Sequence, residues 1–219
     1  PKARELSRFG HLPPSNLHGD TLPSVTSHSE RAHFLIGRGE RPFAALADGA
    51  GNAERAAKRV LSLLEKLIGD ATLEQVGAVE TWVKWVKVLD SALLGSAQST
   101  FIAVAVVGGE IVGACAGDSR AYLINRDGLC RILSDGASKQ RLGSGQAQAF
   151  PICLTLGVGD VLLLLSDGAW TPLSPYLLQK AVASAAGRHF SDVPGAVLDA
   201  AGRTGRADDM TALAVRLLP

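Results

Sequence analysis

Apolar residues recur along this chain with two different periods, and the switch between them divides the sequence into blocks. Across residues 53–68, Ala56, Ala57, Val60, Leu63, Leu64 and Leu67 share one stripe of a 3.6-residue helix, and Asn52 stands where a cap belongs. Val79, Trp82, Val83, Val86 and Leu89 repeat that spacing, predicting a second helix over 73–94 with its tryptophans in the core. Ahead of these helices, short apolar runs at 32–36 and 43–47 flank the polar IGRGERP, the pattern of a hairpin. After Gly95 the period shortens. Runs at 101–107, 111–116, 121–124 and 129–133 are each bounded by Gly, Asp or Asn and predict strands, the last two joined by the turn sequence NRDG. A polar loop follows at 134–149, then a buried strand at 161–165, helices at 174–186 and 191–201, and a closing strand at 210–218. Residues 1–30, rich in Pro, Ser, His and Gly, read as a short strand near 6–9 followed by a long loop.

Helices grouped between runs of antiparallel strands predict an α+β fold rather than alternating βαβ units. The expected arrangement is a four-layer αββα sandwich, two antiparallel sheets face to face with a helix pair on each outer side. A length of 219 residues suits a single domain spanning 1–219, and 47% hydrophobic with 20% charged residues suits a packed core. Lys and Arg total 22 against 21 Asp and Glu, so no field favours nucleic acid or an anionic membrane surface as a partner. No apolar run approaches the roughly 20 residues of a bilayer span, and PKARELSRFG at the start leads into no apolar leader segment. Cys115, Cys130 and Cys153 form no CxxC pair and lie among apolar neighbours, which predicts reduced, packed thiols. These readings favour a cytoplasmic monomer.

The candidate chemistry lies in four segments of one design, in which an apolar run ends and an Asp appears beside a Gly or a second acidic residue. They are FAALADGAG with Asp48, CAGDSRAYL with Asp118, LLLLSDGAW with Asp167 and RADDMTALAV with Asp208. Taken singly, each Asp-Gly pair reads first as a turn, and Asp127-Gly128 reads as nothing else. Taken together, several carboxylates at strand ends would raise one another's pKa unless a cation joins them. Mg²⁺ and Mn²⁺ prefer such oxygen donors, and a flanking glycine lets a carbonyl such as that of Gly49 approach an ion.

The order and context of these segments resemble the metal-dependent protein phosphatases of the protein phosphatase 2C (PPM) type. FAALADGAG is similar to the family's DG-x-G motif, and residues 96–124, with GDSRAYL, to its Gly-Ser/Thr-Thr strand and the segment that follows. Residues 158–170, ending SDGAW, are similar to its GD-x-L-L-L-x-S-D-G-L-W motif, and Asp208–Thr211 to its terminal DN-x-T. The resemblance runs from about residue 20 to 218 and has the style of a compact bacterial member. It implies that Asp48, Asp167 and Asp208 carry catalysis by holding two Mn²⁺ or Mg²⁺ ions. Asp48 would bridge them, the Gly49 carbonyl would bind one, and Asp118 would hold an outer water or a third ion. Asp20, in SNLHGD, would be the N-terminal ligand. Ser119, Ser166 and Thr211 are candidate supports for the carboxylates. The implied reaction is hydrolysis of phosphoserine or phosphothreonine in a protein by a metal-activated water, in signalling opposite a Ser/Thr kinase or its targets. A pseudophosphatase that binds phosphoproteins without turnover is the alternative. A third reading keeps the chemistry on another substrate, such as an anti-anti-sigma factor.

Three departures from the family pattern bear on function. SNLHGD has Gly19 in place of an acidic residue and no nearby preceding Arg, leaving Arg31, Arg38 and Arg41 as substitutes for a phosphate clamp or as surface charges. Ala50 stands where some members have a proton-donating His. After LSDGAS, about 20 residues precede Gly159-Asp160 where most members carry a longer flap, so the flap is expected to be truncated and substrate choice altered.

Overall fold

A computed structural model of the protein describes residues 23–29, 33–37, 41–49, 54–186, 189–205 and 208–217. Among these residues ten strands form two five-stranded antiparallel sheets. The first sheet runs in the order β1 (Pro23–Ser29), β10 (Thr211–Leu217), β9 (Val161–Leu165), β6 (Arg120–Ile124), β7 (Cys130–Ile132). The second runs β2 (His33–Gly37), β3 (Phe43–Ala47), β4 (Phe101–Val107), β5 (Glu110–Ala116), β8 (Phe150–Thr155). Helices α1 (Glu54–Asp70), α2 (Leu73–Gly77) and α3 (Val79–Leu93) cover the second sheet. The short α4 (Asp167–Trp170) leads into α5 (Pro175–Ala186) and α6 (Val193–Gly202), which cover the first. The predicted α+β sandwich of two antiparallel sheets between helical layers is the fold observed.

Strand alternation explains the layering. In β9, Leu162 and Leu164 point between the sheets, where they meet Leu46, Ile102 and Leu213. Val161, Leu163 and Leu165 point the other way, onto α5 and α6 through Leu178, Val182 and Val197. Burial on both faces is why this strand reads as an unbroken apolar run. The predicted turn at NRDG joins β6 to β7, with Asn125 N–H donating to the Leu129 carbonyl at 3.0 Å and Gly128 at a φ of 84°.

Several expectations need correction. The helix expected over 73–94 is two helices, broken at Ala78, whose φ of −95° and ψ of 122° are extended. Gly77 weakens the helix there, and the break frees the Val76 carbonyl to accept the Trp82 indole N–H at 2.8 Å. A capping box between Thr72 and Gln75 starts the first piece. The long loop expected up to residue 30 contains β1, paired in register with β10 from Pro23 opposite Leu217 to Ser29 opposite Thr211. The strand expected near 6–9 lies outside the described residues. Strand β8 escaped the pattern reading because it is an edge strand that starts Phe-Pro and buries mainly Ile152. The thiols also differ among themselves. Burial pushes Cys115 up to about 12, whereas Cys153 is exposed rather than packed.

Candidate metal centre

Strand register carries the four acidic segments to one end of the sandwich. In the first sheet Leu165, the last residue of β9, pairs with both Arg120 at the start of β6 and Ala212 near the start of β10. Asp118, Asp167 and Asp208 therefore leave neighbouring strands at the same edge. In the second sheet Leu46 pairs with Ile102, and Phe101 with Ala116, which sets Asp48, Thr100 and Gly117 side by side. Gly117 has a φ of 92°, and a Cβ there would come within 3.2 Å of Thr100. That close approach lets the chain turn back so that Asp118 follows directly.

The Asp48 peptide is held on three sides. Its N–H donates to Thr100 Oγ1 at 3.1 Å, and its carbonyl accepts from Thr100 N–H at 2.8 Å and Ser99 Oγ at 3.1 Å. Gly49 continues the contact through an isolated antiparallel bridge to Ser99. Ser119 Oγ donates to Thr100 Oγ1 at 2.8 Å, so this serine reaches Asp48 through threonine. On the other sheet Ser166 and Thr211 lock β9 to β10: Thr211 N–H donates to Ser166 Oγ at 2.9 Å, and Ser166 N–H to the Thr211 carbonyl at 3.1 Å. Gly168 then packs so tightly that an added Cβ would meet the Asp209 carbonyl oxygen at 2.4 Å and Asp208 Cβ at 3.2 Å. Only a residue without a side chain fits beside Asp167 here.

Burial and the charges of their neighbours act together on these carboxylates. Asp48 is pushed up from 3.8 to about 7, first by burial and then by the charges of Asp167, Asp208 and Asp209. Asp167 is also raised, by burial and by Asp118 and Asp208, against the lowering effect of the Gly168 N–H and Arg141. Asp118 is fixed differently. Its Oδ2 accepts from Arg141 Nη2 at 2.9 Å, and its carbonyl accepts the Trp170 indole N–H at 2.8 Å. Arg120 in turn lies 3.7 Å above the Trp170 ring. The other oxygen of Asp118, Oδ1, is buried without a hydrogen-bond partner.

The group expected here is Mn²⁺ or Mg²⁺, and the donor types present suit a hard cation. The donors are carboxylate and carbonyl oxygens, one of them orphaned, and their mutual repulsion is what a divalent charge relieves. Among the described residues no three acidic, His or Cys side chains stand together as a ready-made cage. The set lies within electrostatic reach rather than in coordinating contact. Asp20, Arg31, Arg38 and Ala50 lie outside the described residues. Arg41 is neither a phosphate clamp nor a free surface charge: its Nη1 donates to the Ile68 and Gly69 carbonyls at 3.0 and 2.8 Å and closes the end of α1. Pattern reading missed Arg141, Thr100 and Asp209. A single signal pointed toward Arg141, the apolar Leu142 in an otherwise polar loop, which marks where that loop returns to the core.

No protein-family model matches the sequence, and no curated protein matches it at the sequence level. Solved structures do match. A serine/threonine phosphatase of S. agalactiae superposes with a TM-score of 0.76 at 18% identity, covering 89% of this chain and 99% of that one. The catalytic domain of the serine/threonine phosphatase PstP, solved with two manganese ions, gives a TM-score of 0.72 at 21% identity over 90% and 99% of the two chains. The PPM Ser-Thr phosphatase MsPP of Mycobacterium smegmatis, solved with cacodylate, gives 0.73 at 19% identity over 91% and 100%. Among the described residues no helix is long and apolar enough to cross a membrane.

Proposed function

We propose, from the protein phosphatase 2C (PPM) serine/threonine-phosphatase fold that this chain has, that it hydrolyses phosphoserine or phosphothreonine in protein substrates with a metal-activated water. The observation that carries this reading is the convergence of Asp48, Asp167 and Asp208 from both sheets, where burial first, and then the charges of Asp167 and Asp208, push Asp48 up to about 7. Asp48, the Gly49 carbonyl, Asp167 and Asp208 are the proposed ligands of Mn²⁺ or Mg²⁺, with Asp20 as a further one and Asp118 at the outer edge. When bound, the ions supply a water of lowered pKa as nucleophile and offset the charge of the phosphate. The chain's own part is to hold these carboxylates at fixed strand ends. The Thr100 and Ser99 bonds keep the Asp48 peptide from turning, and the Ser166–Thr211 lock keeps Asp167 beside Asp208. The proposed setting is bacterial signalling in the cytoplasm, with a phosphorylated protein as partner.

One observation favours the second reading, a phosphoprotein-binding pseudophosphatase: SNLHGD carries Gly19 where the family motif has an acidic residue, and the flap segment before Gly159 is short. Hydrolysis of an aryl phosphate separates the two. Turnover with Mn²⁺ that EDTA abolishes is expected for the enzyme. A folded sample inactive with Mn²⁺ and with Mg²⁺ would overturn the enzyme reading and favour the binding module.

A further inference from the structure

We propose that Asp90 is a positioning residue of the aspartate site: from α3 it clamps the loop at 143–147 and thereby holds the Arg141 guanidinium against Asp118. Asp90 is 6% exposed although it carries a carboxylate, in the last turn of a packed helix. Its Oδ1 accepts the backbone N–H of Gly143 at 2.7 Å and of Gly145 at 3.1 Å, and its Oδ2 accepts that of Ala147 at 3.2 Å. Three backbone donors on one buried carboxylate satisfy a charge that would otherwise be costly to bury. They also fix a segment that has no regular secondary structure of its own.

The loop is shaped to receive this clamp. Gly143 and Gly145 have φ of 89° and 74°, and Cβ atoms there would press on Leu93, the Ala97 carbonyl and Leu94. Leu142 is fully buried and exchanges both backbone hydrogen bonds with Ser99, at 2.9 and 3.1 Å. Ser99 is the residue whose hydroxyl donates to the Asp48 carbonyl. Arg141 thus precedes a segment fastened at one point to the Asp48 support and at three points to Asp90. A freely placed arginine would pay conformational entropy to keep one geometry. Here the backbone that carries it is already fixed.

Position makes this arginine matter. It pairs with Asp118 at 2.9 Å, and its charge lowers the proton affinity of both Asp48 and Asp167. It is an internal cation among an excess of carboxylates. Loosening the loop would weaken that cation's hold, with two consequences of opposite sign. A divalent cation would bind more tightly to the more negative cluster, and a phosphate dianion would bind less tightly. A purely structural Asp90 would produce neither shift.

The ligand identities here rest on the proposed function, but the test does not need turnover. Mn²⁺ binding, and inorganic phosphate binding in the presence of Mn²⁺, are measured by calorimetry on wild type, Asp90→Asn, Arg141→Gln and the double variant. Asn keeps the shape of Asp90 but turns donors toward the Ala147 N–H. Each single variant is expected to bind Mn²⁺ several-fold more tightly and phosphate roughly tenfold more weakly. The double variant should match Arg141→Gln, the non-additivity of residues acting through one another. Additive effects, or an Asp90→Asn protein that only melts earlier with both affinities unchanged, would overturn the proposal. So would a wild type that binds neither ligand. Should Asp90→Asn not fold, Ala147→Pro deletes one of the three donors and leaves α3 intact, and the same pair of shifts is expected. A wild type that binds both ligands but hydrolyses nothing defeats the proposed enzyme and leaves Asp90's role decided by the affinities.

Discussion

Asp48 shows how a carboxylate can be placed where its own charge is disfavoured. Its folded pKa of about 7 stands above the ordinary 3.8, so the metal-free folded state holds the proton more tightly than the unfolded chain does. The stability linked to this group is complete below about pH 4 and is lost as pH rises toward about 7, after which the loss is constant. Asp48→Asn removes the titration while the backbone bonds to Thr100 and Ser99 remain available. In EDTA the variant should therefore melt above wild type, with a gap that is smallest near pH 4 and widens to about pH 7. In Mn²⁺ the order should reverse, and hydrolysis by the variant should fall by orders of magnitude. A melting gap independent of pH would mean that Asp48 is not under this electrostatic pressure.

Among the elements, the α2–α3 break and the α4 turn show where local pattern yields to contact. Apolar spacing through residues 73–94 is equally compatible with one helix or two. The choice falls to Trp82, 0% exposed, whose indole N–H needs an acceptor and finds one only if the Val76 carbonyl is released from the helix. Trp82→Phe should cost about 1 kcal/mol for the lost hydrogen bond, with further loss from the edge-on contact to Trp85, and leave activity intact. Thermal melting alongside the aryl phosphate assay checks both halves. Gly168→Ala should behave differently. Its Cβ has no room against the Asp209 carbonyl, so the β10 entry must shift by a fraction of an ångström or more. The expected destabilisation is about 1–3 kcal/mol, accompanied by a fall in activity, because Asp208 moves with that segment. Unchanged turnover in this variant would detach Asp208 from the chemistry.

At the scale of the molecule, two sheets bring together carboxylates that neither could gather alone. Asp48 follows a strand of the second sheet, Asp167 and Asp208 flank strands of the first, and Asp118 lies on the crossover from β5 to β6; the apolar layer between the sheets sets their separation. Leu164 is fully buried in that layer. Leu164→Ala should cost about 2–5 kcal/mol and also weaken Mn²⁺ binding, since a gap between the sheets relaxes the distance across the site. Val197→Ala, on the buried face of α6 in the outer layer, should destabilise with little effect on Mn²⁺ affinity. Equal effects of the two on metal binding would argue that the sheet spacing is irrelevant to the site.

Much of this architecture was readable in the chain because it follows from local apolar periodicity. The helical stripe of α1, the double-faced run of β9, the NRDG hairpin and the acidic residues at strand mouths are all properties of contiguous segments. Burial of an apolar face is nearly indifferent to which partner covers it, so such patterns survive without knowledge of the fold. Polar contacts are different, because a hydrogen bond or ion pair needs one particular partner at one distance. Strand β1, the Thr100 support of Asp48, the Arg141–Asp118 pair and the Asp90 clamp all depend on segments tens of residues apart meeting in space, and even the break at Ala78 turns on one particular donor meeting one particular carbonyl. No periodicity marks them. The sequence by itself determined which carboxylates stand at the ends of strands; the tertiary structure decided which cation and which backbone donors meet them there.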